Sequence, residues 1–580
     1  MRIHARPSML VLTALLLGAC SGGAERSAVT ADNPAWSQFV GQYIEATFKA
    51  EPFFAVQQGR HEFDGQMPDL SAAGIAAEVK RLTAARDAAA AFDAATLSPA
   101  QRFEREYLMA VIGNELFWLT KAGKPFRNPA FYAEQMDPEV YLARQYAPPE
   151  VRIKGYIGYL QALPAIAADV RANLRTPLPK TYVEYGVNNF GGYVDFLGND
   201  AVKVFAGVAD PALQQQLTAA TDAAVKAMAE LRDWFIAQRQ TATDAFALGP
   251  ELYATMLRDT EAVTTPVADI EAAGKADLEK NTAALVAACA KFAPGAALKD
   301  CVAKEEGRKP KDGPVASARA ELAALKGFVA SRGIVTIPGT EEAEVAYSPP
   351  YNAQNSAYIN IPGPYEKNVA SVYNISPPDP KWSAAERAAY VQSVAKTTNT
   401  SIHEVWPGHF LQFLHANRSQ SPVGRLWVGY AYAEGWAHYA EQLMQEEGYA
   451  TDTEELHIAQ LLDALWRDCR LLSSIGLHTH GMTVAQSEQL FRDKAFNDPG
   501  NARQQAARGT YDPAYLNYTL GKLMIVKLRA DWAARQLRDQ PGADPRTLRR
   551  AFHDKFLSYG GPPIPLIRAD MLGADSGSLL

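Results

Sequence analysis

Long stretches of this chain place apolar residues three and four apart, with Ala, Gln and charged residues between them, the period of a helix with one buried face. Trp36 to Lys49, Ala72 to Phe92, Ala100 to Leu119, Pro211 to Gln238, Val267 to Phe292, Ala316 to Ser331 and Leu516 to Leu537 all carry it. Around residues 335 to 380 the texture changes. Ile334-Val335-Thr336-Ile337, Ala343 to Tyr347, Tyr358 to Ile361 and Ser371 to Ser376 are short runs separated by Pro and Gly, which predicts strands and turns. The expected fold is therefore mostly α, with a small β element near residues 335–376. Lys304 to Pro314, dense in charge beside Gly and Pro, predicts an exposed loop or a domain junction.

The chain opens with Arg2 and Arg6, then the apolar stretch Met9 to Leu17, then Gly18-Ala19-Cys20, the order of a secretory signal. The small-small-Cys ending resembles a bacterial lipobox, in which the cysteine is lipidated and becomes the mature N-terminus. Residues 1–20 are thus expected to be a lipoprotein signal peptide, 21–33 a tether, and 34–580 one large helical catalytic domain, with two lobes around a cleft as its variant. No later stretch of about twenty apolar residues follows, so the expected membrane contact is the lipid anchor on Cys20 alone, on the periplasmic or envelope side of a bacterial membrane. A net charge of -7 without a basic stripe argues against nucleic acid as a partner. An oxidising compartment permits Cys289 and Cys301 to pair across a short loop containing Pro294 and Gly295. Cys469, in the helical series Ile458, Leu461, Leu465, Cys469, Leu472, reads as a core thiol.

Candidate chemistry concentrates in Thr400 to Gln412, which contains His403-Glu404-Val405-Trp406-Pro407-Gly408-His409. A His-acid pair alone decides little, since His61-Glu62 and His553-Asp554 are also present. In zinc peptidases with histidines one helical turn apart, the imidazoles hold the ion and the glutamate after the first takes a proton from water. Here the second histidine comes six residues later, and six residues of straight helix turn through about 600°, so the two side chains would diverge. Pro407 lacks the N–H that would bond the His403 carbonyl and Gly408 tolerates a break, so a kinked helix is expected to present both rings. Phe410 is expected to pack as core.

A second segment, Tyr430 to Leu443, places Glu434, His438 and Glu441 on one helix face, four and seven apart. A catalytic zinc site takes three protein ligands and keeps one position open, and Glu434 is the first choice for the third, with His438 in reserve. His438 and Glu441 otherwise read as a supporting or solvated pair. Arg467, Arg470, His478, His480, Arg508, Tyr511 and Tyr518 are residue types that stabilise an oxyanion or a carboxylate end group.

Taken together these residues resemble the bacterial family known as domain of unknown function 885, placed near the helical zinc peptidases. The resemblance rests on Glu51-Pro52, Gly59 to Asp64, Pro68 to Ser71, Tyr358-Ile359-Asn360, His403 to His409, Glu434 to Tyr439, Gly476-Leu477-His478, and Tyr511, Tyr518, Gly521-Lys522-Leu523 with Leu528-Arg529. Two departures stand out: Phe410 where many members carry a further histidine, and Ser474 where they carry an acid. The first leaves His409 as the one candidate for the second histidine ligand, and the second weakens a carboxylate-oriented role for His478. The resemblance implies a metallopeptidase-like helical fold with a central cleft and metal-dependent peptide hydrolysis. His61 to Asp64 is expected to mark a structural turn.

The expectation is an exported hydrolase holding Zn²⁺ through His403, His409 and Glu434, with Glu404 as general base, Tyr511, Tyr518 or His478 at the oxyanion, and a peptide as substrate. The strand around Tyr358 would offer an edge to an extended peptide. The rivals are a lipid-anchored binding protein with a structural or vestigial metal site and a metallohydrolase acting on a non-peptide bond.

Overall fold

Helix starts in this chain are marked by proline just behind a capping side chain. Asn33 precedes Pro34, Ser98 precedes Pro99 and Asp210 precedes Pro211, and each cap accepts a hydrogen bond from a backbone N–H of the first turn. A computed structural model describes residues 31–349, 356–378, 382–573 and 576–580. The predicted signal segment and Cys20 lie outside them. The principal elements are α1 Pro34–Ala50, α2 Ala72–Ala90, α3 Pro99–Leu116, α4 Pro149–Asn173, α5 Lys180–Phe196, α6 Pro211–Gln238, α7 Val267–Phe292 and α8 Pro314–Arg332. After these come strands β1 Ala343–Tyr347, β2 Ala357–Asn360 and β3 Ser371–Ile375. The second half contains α9 Val394–Glu404, α10 His409–Ala416, α11 Tyr430–Glu446, α12 Glu455–Thr479, α13 Pro499–Tyr511, α14 Asn517–Asp539 and α15 Pro545–Ser558. The fold is mostly helical with one small sheet. Among the described residues no helix is long and apolar enough to cross a membrane.

Packing follows chain order. Helices α1 to α3 close on Trp36, Phe48, Ile75 and Tyr107, while α4 to α6 close on Tyr156, Leu160, Phe190 and Phe235. The largest core gathers α8 to α11, α14 and α15 around Trp406, Trp436, Tyr439 and Phe556. Helices α7 and α12 meet over Leu285 and Leu465, where the Cys289–Cys301 disulfide also sits, with a Cα–Cα distance of 5.8 Å. Cys469 is a buried free thiol in the same core. In the sheet β3 is central, parallel to β1 and antiparallel to β2, so β2 is an edge strand. It packs against α9.

Two local expectations are corrected. Ile334 to Ile337 is not a strand. The Asp554 carboxylate accepts from the Thr336 N–H and hydroxyl, both at 2.7 Å, His553 donates to the Ile334 carbonyl at 2.8 Å and His415 to the Thr336 carbonyl at 2.8 Å. Side chains from distant helices thus satisfy the backbone groups that a sheet ladder would have used. Lys304 to Pro314 is only partly an exposed loop: residues 304 to 306 end the helix Leu298–Glu306, and Glu305 is buried, accepting from the Ser393 hydroxyl at 2.6 Å.

The segment His61 to Asp64 forms a one-turn 3-10 helix that clamps remote parts of the chain. The His61 ring stacks on Tyr146, with Nδ1 3.0 Å from Asp64 and Nε2 3.2 Å from Glu366. Arg144 donates to the Gln57 carbonyl, to the Asn360 side chain at the end of β2 and to the Ile361 carbonyl. The clamp therefore holds the segment after β2 against the N-terminal helices.

Candidate metal centre

Helix α9 begins where the Ser393 side chain accepts from the Lys396 N–H, and it ends at Glu404. Pro407 cannot donate to the ladder, and the kink expected from it is a full break, with Val405 to Gly408 between α9 and α10. The returning chain runs so close over α9 that a Cβ at Gly408 would overlap the His403 carbonyl oxygen, so glycine is required there. Trp406 is fully buried in the loop, and the Trp436 indole N–H donates to the Pro407 carbonyl at 2.8 Å. That bond ties the histidine segment to α11, the helix carrying Glu434.

The result is a convergence of three ligand-type side chains. Nε2 of His403 and Nε2 of His409 each lie 3.4 Å from the same oxygen of Glu434, Oε2. The candidate donor atoms all fall within 4.8 Å of one another. That Glu434 oxygen is buried and accepts no hydrogen bond among the described residues. Burial alone would raise the Glu434 pKa, but the neighbouring His409 and His403 reverse this and hold it well below the usual carboxylate range.

Behind His403 stands Glu441. Its carboxylate is completely buried and takes Nδ1 of His403 at 2.6 Å, Arg467 at 3.0 Å and the Asn399 amide at 3.3 Å. Burial works against its charge, and Arg467 with His403 and His438 outweighs it, holding Glu441 well below the usual range. An ionised carboxylate on Nδ1 makes that nitrogen a donor and would leave the Nε2 lone pair for a metal ion in place of a proton, the usual support of a metal-bound histidine. Burial and Arg467 depress the His403 pKa, yet the flanking carboxylates of Glu434 and Glu441 lift it to about 9. Two carboxylates flanking one imidazole demand a positive charge between them, which a proton or a metal cation supplies.

Glu404, next to His403 in sequence, is 8 % exposed, and among the described residues its carboxylate accepts no hydrogen bond. Burial raises its pKa against the pull of His403 and His409. His438 does not join the cluster. Its Nδ1 lies 3.4 Å from Glu441, its Nε2 is buried without a partner, and burial with nearby Lys522 pushes it down to about 3.

A family model described as a bacterial protein of unknown function (DUF885) matches residues 52–571. The chain belongs to the DUF885 family. No curated protein matches it. Two solved structures share the fold of this DUF885 chain. A candidate lipoprotein of unknown function from Shewanella oneidensis is 24% identical with a TM-score of 0.74, covering 93% of this chain and 99% of its own. A candidate lipoprotein from Colwellia psychrerythraea is 17% identical with a TM-score of 0.77, covering 93% of this chain and 98% of its own.

The remaining predicted residues of the DUF885 chain divide sharply. His478 is buried between backbone groups, with Nδ1 accepting from the Leu248 N–H at 3.2 Å and Nε2 donating to the Gly509 carbonyl at 2.8 Å. Neither nitrogen is left for a substrate, and burial pushes its pKa down to about 4. Tyr511 packs on Tyr185 with ring centres 4.6 Å apart, beside Arg508 and Asp512. Tyr518 stands nearer the cluster: burial and then the charge of Glu434 raise its pKa, and Arg467 and Arg470 lie over its ring. Sequence reasoning had no means of assigning Arg467 to Glu441, because the pair depends on how α12 crosses α11. A cavity of about 830 Å³ lies elsewhere, lined by Arg319, Leu322 and Lys326 of α8 and Val345 of β1.

Proposed function

We propose that this DUF885 chain is an exported, lipid-anchored zinc hydrolase that cleaves peptide bonds, with His403, His409 and Glu434 as ligands and Glu404 as general base. The observation that carries the reading is the convergence of two imidazole nitrogens on one buried carboxylate oxygen of Glu434 that accepts no hydrogen bond among the described residues. Two nitrogens and one oxygen suit Zn²⁺, with a fourth position left for a reactant. Zn²⁺ held by this set would supply a Lewis acid toward water and a carbonyl oxygen. Glu404 follows His403 directly and has a free, buried carboxylate whose raised pKa suits it to accept a proton from water and pass it to the leaving amine. Glu441 keeps Nε2 of His403 available, and Tyr518, near enough for the charge of Glu434 to act on it, is the tyrosine we assign to donate to an oxyanion. The edge strand β2 beside α9 favours an extended peptide over other substrates. The lipobox-like Cys20 and the two candidate lipoproteins of the same fold support the anchored location.

The test is metal content by inductively coupled plasma mass spectrometry, with peptide-mixture digestion, on the wild type and on His403→Ala, Glu434→Ala and Glu404→Gln. About one zinc per chain is expected in wild type and Glu404→Gln and none in the other two, with turnover in wild type only. A folded wild type that takes up no zinc when it is offered would sink the reading and leave a binding protein.

A further inference from the structure

Helix α12 sends Arg467 and Arg470, three residues apart on one face, toward the same tyrosine ring, and α13 brings Arg508 alongside. Their surroundings differ in one respect. Arg467 is neutralised by Glu441 at 3.0 Å and Arg508 by Asp512 at 2.9 Å. Arg470 is only 8 % exposed, and its one hydrogen bond among the described residues runs from Nε to the neutral Gln505 amide oxygen at 2.8 Å. Its two terminal nitrogens face no acidic side chain among the described residues. The rings of Trp466 at 5.1 Å and Tyr518 at 4.7 Å offset part of its charge, and an anion arriving at the terminal nitrogens would meet the rest.

Its position says where that anion would come from. Arg470 lies 4.7 Å from the centre of the Tyr518 ring, and Arg467 lies 5.7 Å from the same centre while its Nη2 stands 3.2 Å from Nδ1 of His403. From the other side, Tyr430 is one helical turn before Glu434 and takes a hydrogen bond from Arg508 at 3.0 Å. Tyr518 in turn feels the charge of Glu434, so Arg470, alone of the three arginines in facing no acid among the described residues, is one aromatic ring away from the His403, His409 and Glu434 cluster. A planar guanidinium with both terminal nitrogens free matches a carboxylate in bidentate geometry.

We propose that Arg470 seats the free α-carboxylate of a peptide's C-terminal residue, so that the enzyme works from the C-terminal end of its substrate. The proposal rests on the peptidase reading above and adds the substrate end it recognises.

The experiment compares N-acetylated tetrapeptides ending in a free carboxylate with the same peptides ending in a carboxamide. Binding is measured by isothermal titration calorimetry to zinc-loaded Glu404→Gln, in which hydrolysis is blocked, and cleavage is followed on the wild type. The acid is expected to bind about 30-fold or more tighter than the amide, because a site built to pair a charged group rejects the ligand lacking it. Adding Arg470→Met should bring the two within about twofold. Gln505→Glu, which gives Arg470 an internal carboxylate without emptying the core, should do the same and covers the case in which Arg470→Met fails to fold. Equal binding and cleavage of acid and amide, or a preference that survives both substitutions, would overturn the Arg470 seat while leaving the zinc peptidase standing. Zinc-loaded protein that binds and cleaves neither peptide would overturn the seat and the peptidase reading together.

Discussion

Replacing Gly435 by alanine perturbs the candidate centre without touching any ligand. Helices α11 and α14 cross at their glycines: a Cβ on Gly435 would lie 2.6 Å from both Cα and the carbonyl carbon of Gly521 and 3.0 Å from the Lys522 nitrogen. Carbon atoms in contact prefer about 3.5–4.0 Å, so the helices must part by roughly 1 Å. Overpacking of this kind costs about 1–3 kcal/mol, and the better helix propensity of alanine returns up to about 1 kcal/mol, leaving a net loss of about 1–2 kcal/mol. The larger effect falls on geometry. Glu434 is the preceding residue, and metal ligands tolerate displacements of only about 0.2 Å, so a shift of α11 against the histidine segment should lower zinc affinity by about 10-fold to 100-fold. The assay is zinc competition against a chelator of known affinity, with urea denaturation of the metal-free protein alongside. Gly192→Ala serves as the control, since Gly192 also lies within a helix but a Cβ there meets nothing within 4 Å. It should be neutral or stabilising by up to about 1 kcal/mol. Gly435→Ala protein with wild-type zinc affinity would refute the claim that this crossing sets the position of Glu434.

Glu441→Gln should lower zinc affinity by about 10-fold to 100-fold and cost about 1–3 kcal/mol of stability, because it weakens the support of His403 and leaves Arg467 with Asp463, 4.0 Å away, as its one acid; unchanged affinity in a chelator titration would contradict the role given to Glu441. In the His61 clamp, burial opposes the ring's charge but Asp64 and Glu366 raise its pKa from 6.5 to about 9. A group with a raised folded pKa stabilises fully below its unfolded value and loses that contribution as pH climbs through the folded one, so His61→Gln should be less stable by roughly 3 kcal/mol near pH 6 and level with wild type above about pH 9. Thermal unfolding of both proteins from pH 5.5 to 10 checks this, and a gap independent of pH would show that the clamp is not ionic. Replacing Cys289 and Cys301 together by serine reopens a loop with a sequence separation of 12 and should cost about 3 kcal/mol, read by urea unfolding with and without reductant.

What the sequence revealed and what it hid divide by the distance between partners. The helices at Pro211–Gln238 and Val267–Phe292 begin and end where their periodic patterns do, because caps and apolar faces are local properties. The approach of His403 to Glu434 was legible for the same reason, through a proline break on one side and a four-residue spacing on the other. The run Ile334 to Ile337 misled because the groups that claim its backbone, His415, His553 and Asp554, lie far along the chain. His478 had a chemical look in sequence, yet both of its nitrogens serve backbone atoms of other segments. The bonds that turn three suitable residues into one centre belong to this second kind. The Trp436 indole reaches back to Pro407, Gly408 lets the chain fold over the His403 carbonyl, and Gly435 and Gly521 let α14 press on α11. None of these residues is a candidate ligand, yet each helps to fix the distances among His403, His409 and Glu434. The physical reason for glycine and tryptophan beside His409 and Glu434 is thus positional: close backbone approach on one side and a single buried indole bond on the other hold two helices in register around the cluster.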